Sequence, residues 1–262
     1  MDGTGGNSEA ALAVVKEIEA MGGEAMANGS SVSDEAGVQK MIDDTMAKWG
    51  RIDILICNAG ILRDKSFSKM THDDINLVLD VHLRGTFKPI KAVWDIMKAQ
   101  NFGRIVVTTS STGLYGNFGQ ANYGAGKLGV VGIMNTLKIE GAKYDIKINT
   151  VCPIAATRMT EGLMSEAVLE TLKPEYVTPG VMNLVKDDAP TGMILSAGAG
   201  AFSMAQIVET KGAFVGHGDA LTAEAVAAKW DVITDVSTQQ PAFKSGGEHG
   251  QNIFARVAEG AS

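Results

Sequence analysis

Residues Arg104–Gly132 read RIVVTTSSTGLYGNFGQANYGAGKLGVVG. Ile105 to Thr109 is a short apolar run suited to a buried strand, a Ser/Gly-rich loop follows, and a helix opens near Asn122. Tyr123 and Lys127 are four residues apart on that helix and so share a face. A free phenol titrates near pH ~10, so a tyrosine that exchanges protons near neutrality needs its anion stabilised, and a cation within about 4–6 Å does this. Lys127 is the cation at hand. Ser110, thirteen residues before Tyr123 at the strand end, is placed to hydrogen-bond the oxygen whose proton moves. A Tyr-x-x-x-Lys pair alone is also what a solvated pair on any long helix looks like. The order strand, serine, glycine-rich loop and helix points to catalysis.

Outward from this stretch, Ile52–Cys57 (IDILIC) is the near-continuous apolar run of a parallel strand covered on both faces. Asn58-Ala59-Gly60 follows at its carboxyl end, where open α/β sheets bind ligands, although alone it reads equally as a turn. Thr71-x-x-Asp74 starts a long helix towards Met97, expected to bend near Pro89. That helix carries His82, read either as a satisfied structural histidine or as a polar link in the proton path. Strands are expected at 146–151 and 193–196 and, upstream, at 24–27. Helices are expected from Asn7 or Ser8 to Met21 and from Ser33 to Trp49. The alternation gives an α/β fold, a doubly wound parallel sheet of Rossmann type, over residues 1–200. Residues 159–185 read as helical segments over a substrate cleft. Residues 201–262, with a helical stretch from Ala223 to Ile233, read as an extension packing on the body or on a partner subunit.

At these residues the sequence resembles the short-chain dehydrogenase/reductase family, over roughly residues 7–200. Ser110, Tyr123 and Lys127 fall on that family's Ser–Tyr–Lys group, and Asn58-Ala59-Gly60 on its strand-end NAG motif. The resemblance implies hydride transfer between a nicotinamide cofactor, NAD with NADP not excluded, and an alcohol or ketone. Tyr123 then carries the proton, Lys127 sets its pKa and holds the cofactor ribose, and Ser110 binds the substrate oxygen. Catalytic His82 takes the place of the family's usual helix Asn. On the cofactor side the resemblance implies Ser31 and Val32 (where relatives place an acid that this chain lacks), Asn58, Ala59 and Gly60, and Pro153 and Thr157 near the nicotinamide. A glycine expected after Pro153 is Ile154 here. Several segments resemble more narrowly the branch of (3R)-hydroxyacyl-CoA dehydrogenase domains of peroxisomal multifunctional enzymes: ILRD at 61–64, VHLRG at 81–85, YGNFGQANY at 115–123, TRMT at 157–160 and KPEYV at 173–177. The branch implies an acyl-CoA substrate and a homodimer or homotetramer. The long helix and the catalytic helix would form the interface, through Val78, Leu79, Phe87, Val93, Trp94, Val130, Val131, Ile133, Met134 and Leu137.

Composition narrows the partners. The chain has 262 residues, 45% hydrophobic content and a net charge of −7, enough for one α/β core and unsuited to a nucleic-acid surface, which needs clustered positive charge. No apolar run approaches the ~18 residues of a membrane span. Two cysteines, Cys57 and Cys152, fit no metal-ligand spacing. No leader is read at the start and no peroxisomal address at the end, so a cytoplasmic location is expected. Asp2-Gly3-Thr4-Gly5-Gly6 follows no strand and is read as a surface loop rather than a phosphate cradle. The first two strands of the family sheet are thus expected to be missing, leaving the 52–57 strand with an edge that is vacant, partner-filled or repaired by residues 24–27.

Overall fold

The computed structural model describes residues 8–156 and 166–260. The chain begins with α1 (Ser8–Ala20) and α2 (Glu35–Trp49), the latter started by the Asp34 carboxylate, which accepts from Ala36 N–H, and ended by Gly50 at φ 74°. The strands β1 (Ile54–Cys57), β2 (Gly103–Thr108) and β3 (Ile146–Ile154) alternate with helices. Between β1 and β2 stand α3 (His72–Leu79), opened by a Thr71/Asp74 capping box, a π-helical turn at Asp80–Arg84, and α4 (Gly85–Gln100). Between β2 and β3 stand α5 (Ser111–Tyr115) and α6 (Ala121–Gly141). Next come α7 (Glu166–Thr171), α8 (Thr178–Val185), β4 (Ile194–Gly198) and β5 (Ala201–Ala205).

The five strands lie in sequence order, with β1/β2, β2/β3 and β3/β4 parallel. Alternation along each strand sends side chains to opposite faces. On one face α4 and α6 cover the sheet: Met97 fills the space over Gly103, and Thr150 Oγ1 donates to Met134 Sδ (2.9 Å). On the other, Leu184 and Val185 of α8 pack on Val106, Val151 and Ala197. This double cover is what a parallel Rossmann-like sheet requires.

Several expectations change. Residues 24–27 form no strand: Trp49 Nε1 donates to Glu24 (3.0 Å) and Lys48 Nζ to the Ala25 carbonyl (3.0 Å), so the end of α2 holds this segment. Among the described residues nothing pairs with the free side of β1, and Ile54 and Ile56 are 46% and 49% exposed, so the strand is covered on one face only. The bend expected at Pro89 sits earlier, in the π-turn. Proline's ring crowds the carbonyl four residues back, and that residue, Gly85, is where the π-turn ends. The hairpin β4–β5 was not foreseen. Ala199 and Gly200, at φ 50° and 77°, make the two-residue turn that reverses the chain, so β5 runs antiparallel. The expected boundary at 200/201 falls inside that hairpin, and the compact units are Met1–Met204 and Ala205–Ser262. The second unit holds α9 (Ala223–Ala228), α10 (Trp230–Ile233) and α11 (Gly246–Gly260), with one bridge between Thr210 and Gln239. Of the expected interface residues, Val78, Val93, Val130, Val131, Ile133 and Met134 are buried within the first unit's own core. Among the described residues no helix is long and apolar enough to cross a membrane.

Candidate active site

Asn58-Ala59-Gly60, Ser110 and Pro153 all stand at the carboxyl ends of parallel strands, the side on which open α/β sheets bind ligands. Thr108 at the end of β2 donates to Asn58 Oδ1 (2.9 Å), tying two strand ends together. The Thr108 carbonyl accepts from Lys127 Nζ (2.8 Å), and Thr109 Oγ1 donates to the Lys127 carbonyl (2.5 Å), so α6 is fastened to β2 at the catalytic turn. Gly113 permits the approach of α5, since a Cβ there would lie 2.9 Å from Lys127 Cβ. Ser110 caps α5 by accepting from Thr112 N–H (3.2 Å), and its hydroxyl stands near enough to the Tyr123 phenol to favour the ionised form. Ser110, Tyr123 and Lys127 therefore meet as expected from their spacing.

His82 joins them. The π-turn carries its ring to 5.0 Å from that of Tyr123, nearly perpendicular (89°). Nε2 is 2.7 Å from the Ile61 carbonyl and 3.1 Å from the Ile61 N–H. The shorter contact assigns the proton to Nε2, because an unprotonated Nε2 would set two lone pairs against each other. Nδ1 is then a buried acceptor without a partner. Two glycines make room for this ring: a Cβ on Gly60 would be 2.5 Å from Cε1, and one on Gly126 would be 3.2 Å from His82 Cβ.

Burial sets the electrostatics. His82 is pushed down to about 4 by burial, then by the Lys127 charge, so its imidazole is neutral at pH 7. Lys127, 5% exposed, is pushed down to about 8 by burial. Tyr123 is raised, chiefly by burial and against the Ser110 hydrogen bond, with Asp64 and Cys152 adding to the rise. The expectation of a lowered phenol is corrected here, since burial is the largest cause and acts upward. The Lys127 ammonium donates to Thr108 and lies 5.6 Å from the Tyr123 ring centroid, while desolvation acts on the whole phenol.

Ser31 and Val32 lie in the turn that leads into α2. Ser31 accepts from Asp34 N–H and Ser33 N–H in the turn before α2, and Val32 packs against Gly85 at the end of the π-turn. Pro153 stays within β3, with Ile154 beside it 48% exposed. Thr157, the TRMT segment at 157–160 and Asp2–Gly6 lie outside the described residues. The buried Lys127 ammonium, the Tyr123 phenol and the exposed strand-end Asn58-Ala59 fit the ribose and nicotinamide end of a dinucleotide. Among the described residues no glycine-rich strand-to-helix turn offers a phosphate cradle.

Sequence reasoning missed the polar frame around this group. Asn122, 2% exposed, donates from Nδ2 to the carbonyls of Arg63 and Asp74 (3.2 Å each) and accepts from Tyr123 N–H (2.8 Å). Gln120 bonds Asp64, Thr112 and Asn117. The available signal was a run of amides, Asn117, Gln120 and Asn122, crowding the start of a helix. A cavity of about 550 Å³ between α8 and the β4–β5 hairpin, lined by Pro179, Leu184, Met193, Leu195 and Phe202, contains none of the site residues.

The profile of the short chain dehydrogenase family matches residues 4–167. The chain is 47% identical over 237 residues to mouse peroxisomal multifunctional enzyme type 2, covering 90% of this chain and 32% of that enzyme. It is 44% identical to a short-chain type dehydrogenase/reductase of Mycobacterium tuberculosis, covering 90% of this chain and 82% of the relative. Its structure is similar to full-length peroxisomal multifunctional enzyme type 2 from Drosophila melanogaster, with TM-score 0.83 and 36% identity, covering 95% of this chain and 44% of that one. The chain thus spans about a third of the mouse enzyme and less than half of the fly structure's chain.

Proposed function

This chain belongs to the short-chain dehydrogenase family and is an oxidoreductase, and we propose that it moves a hydride between NAD(H) and the 3-hydroxyl or 3-oxo group of an R-configured acyl-CoA. The observation that carries the reading is the Ser110–Tyr123–Lys127 group gathered at the strand ends, with Ser110 and Tyr123 half-buried and the buried Lys127 ammonium held by the Thr108 carbonyl 5.6 Å from the phenol ring. The family uses NAD(P)(H), which when bound supplies or accepts the hydride. This chain's residues handle the proton. Ser110 donates to the substrate oxygen, and Tyr123 gives its phenolic proton to that oxygen in reduction or recovers it in oxidation. Lys127 is bound to Thr108 O and lies beside the phenol, where its charge opposes the cost of a buried phenolate. Ser31, Val32, Asn58, Ala59, Gly60, Pro153 and Thr157 are proposed for the cofactor side and neutral His82 for the proton path. The acyl-CoA specificity rests on the 44–47% identity to multifunctional enzymes. A homo-oligomer is proposed from the exposed Leu77, Phe87 and Leu128 on α3, α4 and α6, and a light-scattering mass of a monomer would overturn it. The cytoplasmic location is part of the proposal. The peroxisomal names of several relatives weigh against it, and a punctate pattern of the tagged chain in cells would reverse it.

The test of function is NAD⁺ reduction with R- and S-3-hydroxyacyl-CoA. The R form should react at least tenfold faster, and Tyr123→Phe should abolish turnover with the fold intact. Equal rates for both enantiomers would refute the substrate, and retained activity in Tyr123→Phe would refute the mechanism.

A further inference from the structure

Residues 205–262 carry four lysines and arginines, Lys211, Lys229, Lys244 and Arg256, against seven carboxylates. In so acidic a unit each cation has acids to choose from. Three of the four nonetheless line one cavity of about 350 Å³, where Glu259 is the single acid among the lining residues. They arrive from separate segments: Lys211 next to the Thr210–Gln239 bridge, Lys229 at the junction of α9 and α10, and Arg256 from α11. Gathering like charges opposes the compact state. The cluster therefore calls for an anion.

The chain itself answers these charges poorly. The Arg256 side chain is 18% exposed, and its guanidinium has five donors in a fixed fork. Nη2 reaches the Thr210 carbonyl at 3.4 Å, Gln240 Oε1 at 3.2 Å and the Glu209 carboxylate at 3.7 Å, all long for charge-assisted bonds. Nε and Nη1 meet no acceptor among the described residues. Nη1 lies against Gly212 in the cavity wall, where a Cβ would come within 3.3 Å of it, so glycine keeps this donor uncovered. Lys229 Nζ gives one hydrogen to the Phe214 carbonyl (2.7 Å) and has two left. Lys211 Nζ stands 3.9 Å from Glu259, with both side chains exposed.

The donors decide the class of anion. A carboxylate brings one charge and two oxygens, whereas a phosphate monoester brings about −1.5 to −2 near pH 7 and three acceptor oxygens, one for each converging cation. The volume falls at the small end of ligand pockets, about 300–1,000 Å³. We propose that this cavity is a binding site for a phosphate monoester, held by Arg256, Lys229 and Lys211, with Glu259 as the acid that limits its affinity. The site lies wholly within residues 205–262 and stands apart from the reaction proposed above. Two sources carry the same chemistry, free phosphate and a phosphorylated nucleoside such as the 3′-phosphate end of coenzyme A.

Isothermal titration of the full chain with inorganic phosphate and, separately, with adenosine 3′,5′-bisphosphate tests the site. Saturable binding should appear with at least one of them. Equal dissociation constants assign the site to free phosphate, and binding of the bisphosphate at least about tenfold tighter assigns it to a phosphorylated nucleoside. Lys229→Met and Arg256→Gln should each weaken binding at least about tenfold, the worth of a charge-assisted hydrogen bond. Lys229→Arg, which keeps the charge, should stay within about threefold of wild type. Glu259→Gln should move the other way and tighten binding about two- to fivefold, since it removes repulsion at an exposed rim. A merely structural role for these residues would give no such reversal of sign. Lys229 and Glu259 are exposed, so both variants keep the fold on which the comparison depends. The absence of saturable heat with either ligand, an affinity unmoved by Lys229→Met, or weaker binding in Glu259→Gln would overturn the proposal. The titration needs no turnover, so failure of the dehydrogenase reading leaves it fully readable.

Discussion

Gly60→Ala separates the two roles the NAG motif can have, a simple turn or a seat for His82. The added Cβ would lie 2.5 Å from His82 Cε1, well inside the distance at which carbon atoms touch, and also 3.3 Å from Nδ1. The ring is 2% exposed and held at Ile61, so it has no free direction of retreat. Overpacking of this kind costs about 1–3 kcal/mol, and losing the Ile61 bond leaves a buried donor unmet for about 1–3 kcal/mol more. Against this stands about 0.4–1 kcal/mol gained by restricting the unfolded chain. The expected net loss is about 1–5 kcal/mol, centred on ~3, read as a lower urea midpoint with the slope unchanged. Activity should fall further than stability, because the ring displaced is the one set edge-on against Tyr123. His82→Asn, a shorter side chain at the same position, should relieve the clash, so the double variant should be more stable than the sum of its parts by at least about 1 kcal/mol. Strict additivity, or a Gly60→Ala protein as stable and active as wild type, would refute the coupling.

Other outcomes follow from the same site. His82 is held near 4 against an ordinary 6.5, so the unfolded chain binds its proton first and stability should fall as pH drops from 6.5 towards 4, by up to about 3 kcal/mol. His82→Asn should flatten this part of the curve, and an unchanged slope would count against a buried neutral ring. Lys127 is lowered from 10.5 to about 8, so wild-type stability should rise between those pH values relative to Lys127→Met, by up to about 3 kcal/mol. That variant should be inactive yet no less stable at pH 7; calorimetry at both pH values decides. Arg104, 0% exposed, donates to the carbonyls of Asp145 (2.6 Å), Lys186 (3.1 Å) and Asp187 (2.7 Å) and to the Asp145 carboxylate (3.0 Å). Arg104→Ala should cost at least about 3 kcal/mol by stranding these acceptors, and a loss below about 1 kcal/mol would refute that.

What the sequence disclosed depended on periodicity and order. The Tyr123/Lys127 spacing survives because a helix fixes which residues share a face, whatever surrounds it. Strands β2 and β3 were legible as apolar runs between turn signals. The hairpin β4–β5 was not, because its turn uses Ala199 at positive φ where an Asn or Gly would have announced it. The sign of the Tyr123 shift was equally illegible. Spacing gave the distance between phenol and ammonium but not the desolvation of both, and burial is a property of the packed site. Residues 24–27 carry apolar character but, once α2 holds them by Trp49 and Lys48, no ladder to join.

The π-turn shows how an irregular backbone serves the site. An α-helix continued without a break from Thr71 would advance about 100° per residue, and one extra residue in a turn rotates everything before it relative to everything after. Val78 on α3 and Ile90, Val93 and Met97 on α4 are all buried, so both halves must present their apolar stripes to the core. The extra residue falls between them, at Asp80–Arg84, and places His82 inward at the level of Gly60 and Gly126. Thr86 Oγ1 donates to the His82 carbonyl (2.8 Å), taking up an acceptor that the widened turn leaves poorly served. Val32 packed on Gly85 closes the turn from outside. The widened turn thus falls at the point where a straight helix could not set a histidine edge-on against Tyr123.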